Sequence, residues 1–216
     1  MRPGLLQAGT KEARKTQPVS PDIYGQDFES GSIPSGWTQL SGVPSYTYTP
    51  PLRRRYSVSL ASTDQFGYII PAQSVALSVY AQFMITADPA SAQLILLYNT
   101  GGTVLQAYFN CILNGRLYCA DSTDAHESYT TERIVKNVPY HLWCHYTLGS
   151  GANSYHSIAF NTIPEEPLGG GKFASITIGA STGDVDQVRL MGCVTSTIFD
   201  HVAVSTQALP KGWGYN

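Results

Sequence analysis

From Asp27 onward, apolar side chains recur at every second position. Tyr56, Val58 and Leu60 alternate with Ser57 and Ser59. Val75, Leu77, Val79, Ala81, Phe83 and Ile85 line one side of a longer run, with Ser78, Tyr80 and Gln82 on the other. Side chains of an extended strand point to opposite faces in turn, so a period of two predicts strands with one face in a core. "LILLYNTGGTVLQAYF" reads as two strands around Asn99-Thr100-Gly101-Gly102, and "YFNCILNGRLYCA" continues the meander. "YHLWCHYTL", "SYHSIAFNT", "FASITIG" and "IFDHVAVS" follow, separated by Gly-, Pro- and Ser-rich stretches. Roughly ten or more short strands at this spacing predict a single all-β antiparallel sandwich with no helix and no internal repeat.

Ahead of the pattern, residues 1–22 are polar, lack periodicity and carry Pro3, Pro18 and Pro21. Such a segment reads as a loose tail, or as an arm that orders against a neighbouring subunit. Met1-Arg2-Pro3-Gly4 leads into no apolar run of signal-peptide length, which predicts no export by the general secretory route. No stretch of eighteen apolar residues occurs, so no membrane insertion is expected.

Composition sharpens the all-β reading. Hydrophobic residues make up 43% of the 216, enough for a core, while charged residues are only 13%, about half the usual share. With 14 Tyr, 20 Gly and 13 Pro, strands and turns are favoured over helices. A formal net charge of −2 argues against a nucleic-acid partner held through counterion release.

The four cysteines are Cys111, Cys119, Cys144 and Cys193. Asn114-Gly115 is a favoured two-residue hairpin turn, and it would set Cys111 opposite Tyr118 and Cys119 opposite Asn110. The two thiols would then point to opposite faces, which excludes a bridge between them. Free buried cysteines are expected, in keeping with assembly in a reducing cytoplasm.

"DFESGSIPSGWT" near the front and "FDHVAVS" near the end resemble the bracketing strands of concanavalin-A-like (laminin-G-like) lectin and glucanase jelly-roll modules. "VPYHLWCHYTLGSGANSYHSIAFN" is similar to the central stretch of that family, where a Trp strand runs through a Gly-rich turn into the next. The resemblance covers residues 23–209, leaving an N-terminal arm, 1–22, and a C-terminal tail, 210–216. It implies a jelly roll whose first strand ends in a Phe28-Glu29-Ser30-Gly31 turn and whose last strand pairs back beside it. The family's hydrolases carry a Glu-x-Asp-x-x-Glu strand, and here Glu165-Glu166 are adjacent and diverge. Its alginate-lyase-like members use an Arg strand with Glu, a Gln-x-His and a Tyr-x-Lys, none of which is found. A non-catalytic module is therefore expected.

Several motifs read more simply than they look. Gly179-Ala180-Ser181-Thr182-Gly183 fits a nucleophile elbow in letters, but no helix follows it, so a turn is expected. His141 and His145 lie about 13 Å apart on a strand, too far to share an ion, and read as ordinary strand histidines. Gly169-Gly170-Gly171-Lys172-Phe173 lacks the spacing of a phosphate loop. Asp121, Asp124 and Glu127 form an acidic loop with oxygens for Ca²⁺, yet the spacing matches no defined calcium loop and a solvated loop is the simpler reading. Asp200 stands where the resembled family carries an Asp that ties down a neighbouring turn.

Two features point to binding. Arg53-Arg54-Arg55 is the densest charge in the chain, suited to carboxylates of an acidic glycan or a partner subunit, or to blunting a strand edge. Tyr80, Tyr98, Tyr118 and Trp143 are the aromatic candidates for a sugar-stacking platform. The sequence thus predicts a non-enzymatic structural or attachment protein of a larger assembly, a phage or viral particle surface being the best fit. It would be assembled in the host cytoplasm, contact other protein subunits through the arm and touch surface glycans through the sandwich. A free carbohydrate-binding module, extracellular, is the alternative, and a glycan-cleaving enzyme the third reading.

Overall fold

The computed structural model describes residues 24–26, 28–47, 52, 56–73, 76–99, 103–112, 114–123, 125–147, 154–178, 184–192 and 197–206. Fifteen strands occur among them and no helix. In chain order the first five are β1 (Tyr24–Gln26), β2 (Trp37–Ser41), β3 (Ser45–Thr47), β4 (Ser57–Leu60) and β5 (Gln65–Gln73). Next come β6 (Ala76–Ile85), β7 (Ala92–Asn99), β8 (Val104–Cys111), β9 (Arg116–Asp121) and β10 (Glu127–Arg133). The last are β11 (Tyr140–Thr147), β12 (Ser154–Asn161), β13 (Phe173–Ile178), β14 (Val185–Met191) and β15 (Thr197–Ser205).

They form two antiparallel sheets. The eight-stranded sheet runs β13-β12-β11-β6-β15-β4-β3, with β1 also on β15, and the seven-stranded sheet runs β10-β9-β8-β7-β14-β5-β2. The inner faces meet in one core that takes the alternating apolar set of β6 (Leu77, Val79, Ala81, Phe83, Ile85) and of β11 (Tyr140, Leu142, Cys144, Tyr146). The period of two in the sequence is therefore the inward face of each sheet, and the fold is the expected all-β sandwich, consistent with a jelly roll.

The first and last strands pair. Tyr24, Gly25 and Gln26 face Val204, Ala203 and Val202. A turn follows, closed by the Gly31 amide donating to the Phe28 carbonyl at 3.1 Å, with Phe28 itself at φ 56°. That strained backbone sends the Phe28 ring into the core, where it meets Trp37 at 6.0 Å, and Trp37 stacks on Phe66 at 4.7 Å. Burying three rings offsets a positive φ that costs on the order of 1 kcal/mol.

The hairpin between β8 and β9 corrects one expectation. Cys111 faces Leu117 and Cys119 faces Phe109, one step away from the register of a two-residue turn. Ile112 and Arg116 close a three-residue connection, with Gly115 in the left-handed region at φ 80°. Cys111 and Cys119 consequently share the core face. They remain unbridged because diagonal neighbours lie about 7–8 Å apart, beyond disulfide reach. Cys144 is also free and buried, and Cys193 lies outside the described residues.

Candidate functional site

Five strands of the larger sheet lay their outward side chains in rows. One row is Ser205, Ser78, His145, Ser157 and Ser175 on β15, β6, β11, β12 and β13. The next is Ala203, Tyr80, Trp143, Ala159 and Phe173, which pack together as an apolar cluster on this outer face. Beyond it come Asp200, Gln82, His141 and Asn161. Alternation produces this arrangement directly, because every residue flanking a core position must face out.

Ser78, His145 and Ser157 of the first row lie in the floor of a cleft of about 420 Å³. Small side chains make the floor low, and larger groups make the walls: Tyr155, Phe173 and, from the 162–172 loop, Glu166 and Leu168. Leu168 stands 83% exposed at the rim. At the centre, His145 Nδ1 lies 2.8 Å from Ser78 Oγ, and His145 Nε2 lies 2.6 Å from Glu166 Oε1. A carboxylate only accepts, so in the neutral ring Nε2 carries the hydrogen and Nδ1 accepts from the serine hydroxyl.

One row further, Tyr80 Oη sits 2.5 Å from His141 Nδ1, and Trp143 packs against both rings. Both histidines are on the outer face but engage different partners. The sequence marks His145 as a strand histidine, and the structure adds that it lines the cleft. Its partner Glu166 comes from a loop about twenty residues on, a separation that no local motif encodes.

The remaining candidates do not form one site. Tyr80 and Trp143 share the outer face of the larger sheet, but at 2% exposure each they fill the base of the surface and offer no open ring. Tyr98 and Tyr118 pack on the outer face of the other sheet. Arg189 lies over the Tyr98 ring at 3.8 Å, and Tyr118 stacks on Tyr129 at 4.9 Å while accepting a hydrogen bond from Asn110. The four candidate rings thus fall into two separate aromatic groups, one on each sheet. Arg53, Arg54, Arg55, the Gly179–Gly183 segment and Asp124 lie outside the described residues.

The acidic loop is closed on itself. Asp121 Oδ1 accepts from the Thr123 amide and hydroxyl and the Ala125 amide, and Oδ2 meets His126 Nδ1 at 2.7 Å. Burial pushes the Asp121 carboxyl up, but the bonds from His126, Thr123 and Ala125 outweigh it and hold the group below its ordinary range. Glu127 is exposed, and no cluster of three metal-ligating groups occurs among the described residues. Asp200 is fully buried, accepting from the Ser57 hydroxyl and from the His201 amide at a bulge in β15. Burial raises its pKa, and the bond from Ser57 ties β4 to β15.

No protein-family model matches the sequence, and no curated protein matches it. Solved structures share the fold. A cellulose-induced protein, Cip1, superposes with a TM-score of 0.60 at 15% identity, over 85% of this chain and 97% of that one. An endo-β-1,4-glucuronan lyase from the fungus Trichoderma reesei gives 0.57 at 13% identity, over 87% and 96%. Domain 4 of AbnA, an extracellular arabinanase of Geobacillus stearothermophilus in complex with arabinotriose, gives 0.55 at 10%, over 90% and 96%. At these identities the likeness is one of fold: a β-sandwich shared by lyases and by a domain seen with bound sugar.

Proposed function

We propose that this chain is a glycan-binding β-sandwich module whose ligand lies in the cleft on the outer face of the eight-stranded sheet. The observation that carries the reading is the lining itself. Tyr155 and Phe173 present ring surface beside Ser157, Thr206, His145 and Glu166. A sugar ring needs that combination, with apolar C–H faces against flat rings and hydroxyls against polar groups. Glu166 is the one carboxylate of the lining, and no Lys or Arg is among the described lining residues. The cleft therefore favours neutral sugars over uronates. The arabinotriose-bound neighbour supports the class of ligand.

A glycan array with neutral and uronate oligosaccharides, followed by calorimetry, tests this. Neutral oligosaccharides should bind, and Tyr155→Ala or Phe173→Ala should weaken them by about 1 kcal/mol, roughly fivefold, per lost stacking ring. No bound sugar at high protein concentration removes the reading. Attachment within a larger assembly, such as a phage surface, is a further proposal that depends on residues 1–22, outside the described residues.

A further inference from the structure

We infer that Ser78 is a nucleophile for acyl transfer, with His145 as its base and Glu166 as the residue that positions the imidazole. Three observations meet at one place. Ser78 Oγ, His145 and Glu166 Oε1 form a continuous hydrogen-bonded line of 2.8 and 2.6 Å. The line lies in the open cleft, and its members come from β6, β11 and the 162–172 loop. With the Nε2 hydrogen held by Glu166, Nδ1 is the acceptor, so the serine O–H points at a base and its lone pairs are turned to other directions. A nucleophile, a base within hydrogen-bond reach and a third group orienting that base are the parts of a serine hydrolase, recognised by geometry whatever the fold.

The ligand class is an ester of a small acyl group, accommodated against Leu168 and Phe173 at the cleft wall. Ser78 Oγ bonds to the acyl carbon as its proton passes to His145 Nδ1. The ester C–O bond then breaks, and the departing oxygen takes that proton to leave as an alcohol. Water attacks the acyl-Ser78, His145 receives its proton and returns it to Ser78 Oγ, and a carboxylic acid is released. Glu166 keeps its hydrogen bond to Nε2 and steadies the transient imidazolium. That the natural alcohol is a sugar hydroxyl rests on the glycan reading. The chemistry at Ser78 does not.

The full chain is incubated with p-nitrophenyl acetate and butyrate, and separately with a fluorophosphonate, and followed by release of p-nitrophenol and by peptide mass mapping. An adduct on Ser78 is expected in the wild-type protein, a readout that needs no variant to fold. Ser78→Ala and His145→Gln should each lower kcat/KM by at least about 100-fold. Glu166→Gln should lower kcat with KM unchanged, which a merely structural tie between loop and sheet would not produce. Absence of a Ser78 adduct, or ester cleavage that survives Ser78→Ala, overturns the assignment. Sugar binding retained in a chain without esterase activity would sink the nucleophile and leave the glycan reading standing.

Discussion

His156 sits on the inner face of β12, fully buried, with its ring 4.8 Å from that of Tyr146. Burial holds its pKa down, from an ordinary 6.5 to about 4. Below pH 6.5 the unfolded chain binds a proton on this ring that the folded chain refuses until about pH 4. Its contribution to stability is thus complete above pH 6.5 and drains away as pH falls toward 4, amounting to about 3 kcal/mol over the window. Denaturant melts at pH 7.5 and 4.5 should show that loss in the wild type and a smaller one in His156→Phe. At this scale the alphabet was legible but the partners were not. His145 and Glu166 were both visible as letters, yet their meeting depends on a loop path that carries no periodicity. The inward turn of His156 was hidden because a histidine on an apolar face has the same letter as one in water.

The β8–β9 hairpin shows what an element inherits from its surroundings. Asn114-Gly115 predicts a two-residue turn, and the chain forms a three-residue one. Gly115 accounts for the choice: its amide donates to Ile112, and its carbonyl accepts from Ile134 after β10. A tertiary bond therefore selects the turn, and turn length sets which face Cys119 occupies. A Cβ at Gly115 would lie 2.4 Å from the Ile134 carbonyl oxygen in a backbone at φ 80°. Gly115→Ala should accordingly cost about 2–3 kcal/mol, read from the urea midpoint at unchanged m-value. Strands were legible because burial imposes alternation over many residues. Register was not, because one long-range hydrogen bond decides it. The buried Asp200 and the bulge beside it are of the same kind, since Ser57 reaches that carboxylate from a strand more than a hundred residues earlier.

Closure of the whole sandwich depends on β15, whose one edge is shared between β4 and β1. The pairing of first and last strands was readable in the "DFESGSIPSGWT" and "FDHVAVS" segments, since chain ends that meet in a sheet leave fewer exposed edges. A chain lacking residues 1–22 keeps β1 and should melt with the full chain. One lacking residues 1–26 uncovers half of an edge and should melt lower. Light scattering of the first pair also tests the arm, because a species whose mass per particle ignores the deletion excludes assembly through residues 1–22. The position of β1 has a practical sequel. Tyr24 is paired with Val204, and Thr206, just past β15, stands in the cleft wall. The start of β1 and the residue that follows β15 therefore lie beside the pocket. A dye attached at Thr206 would report occupancy by its fluorescence, and a bulky group fixed there would compete with the ligand.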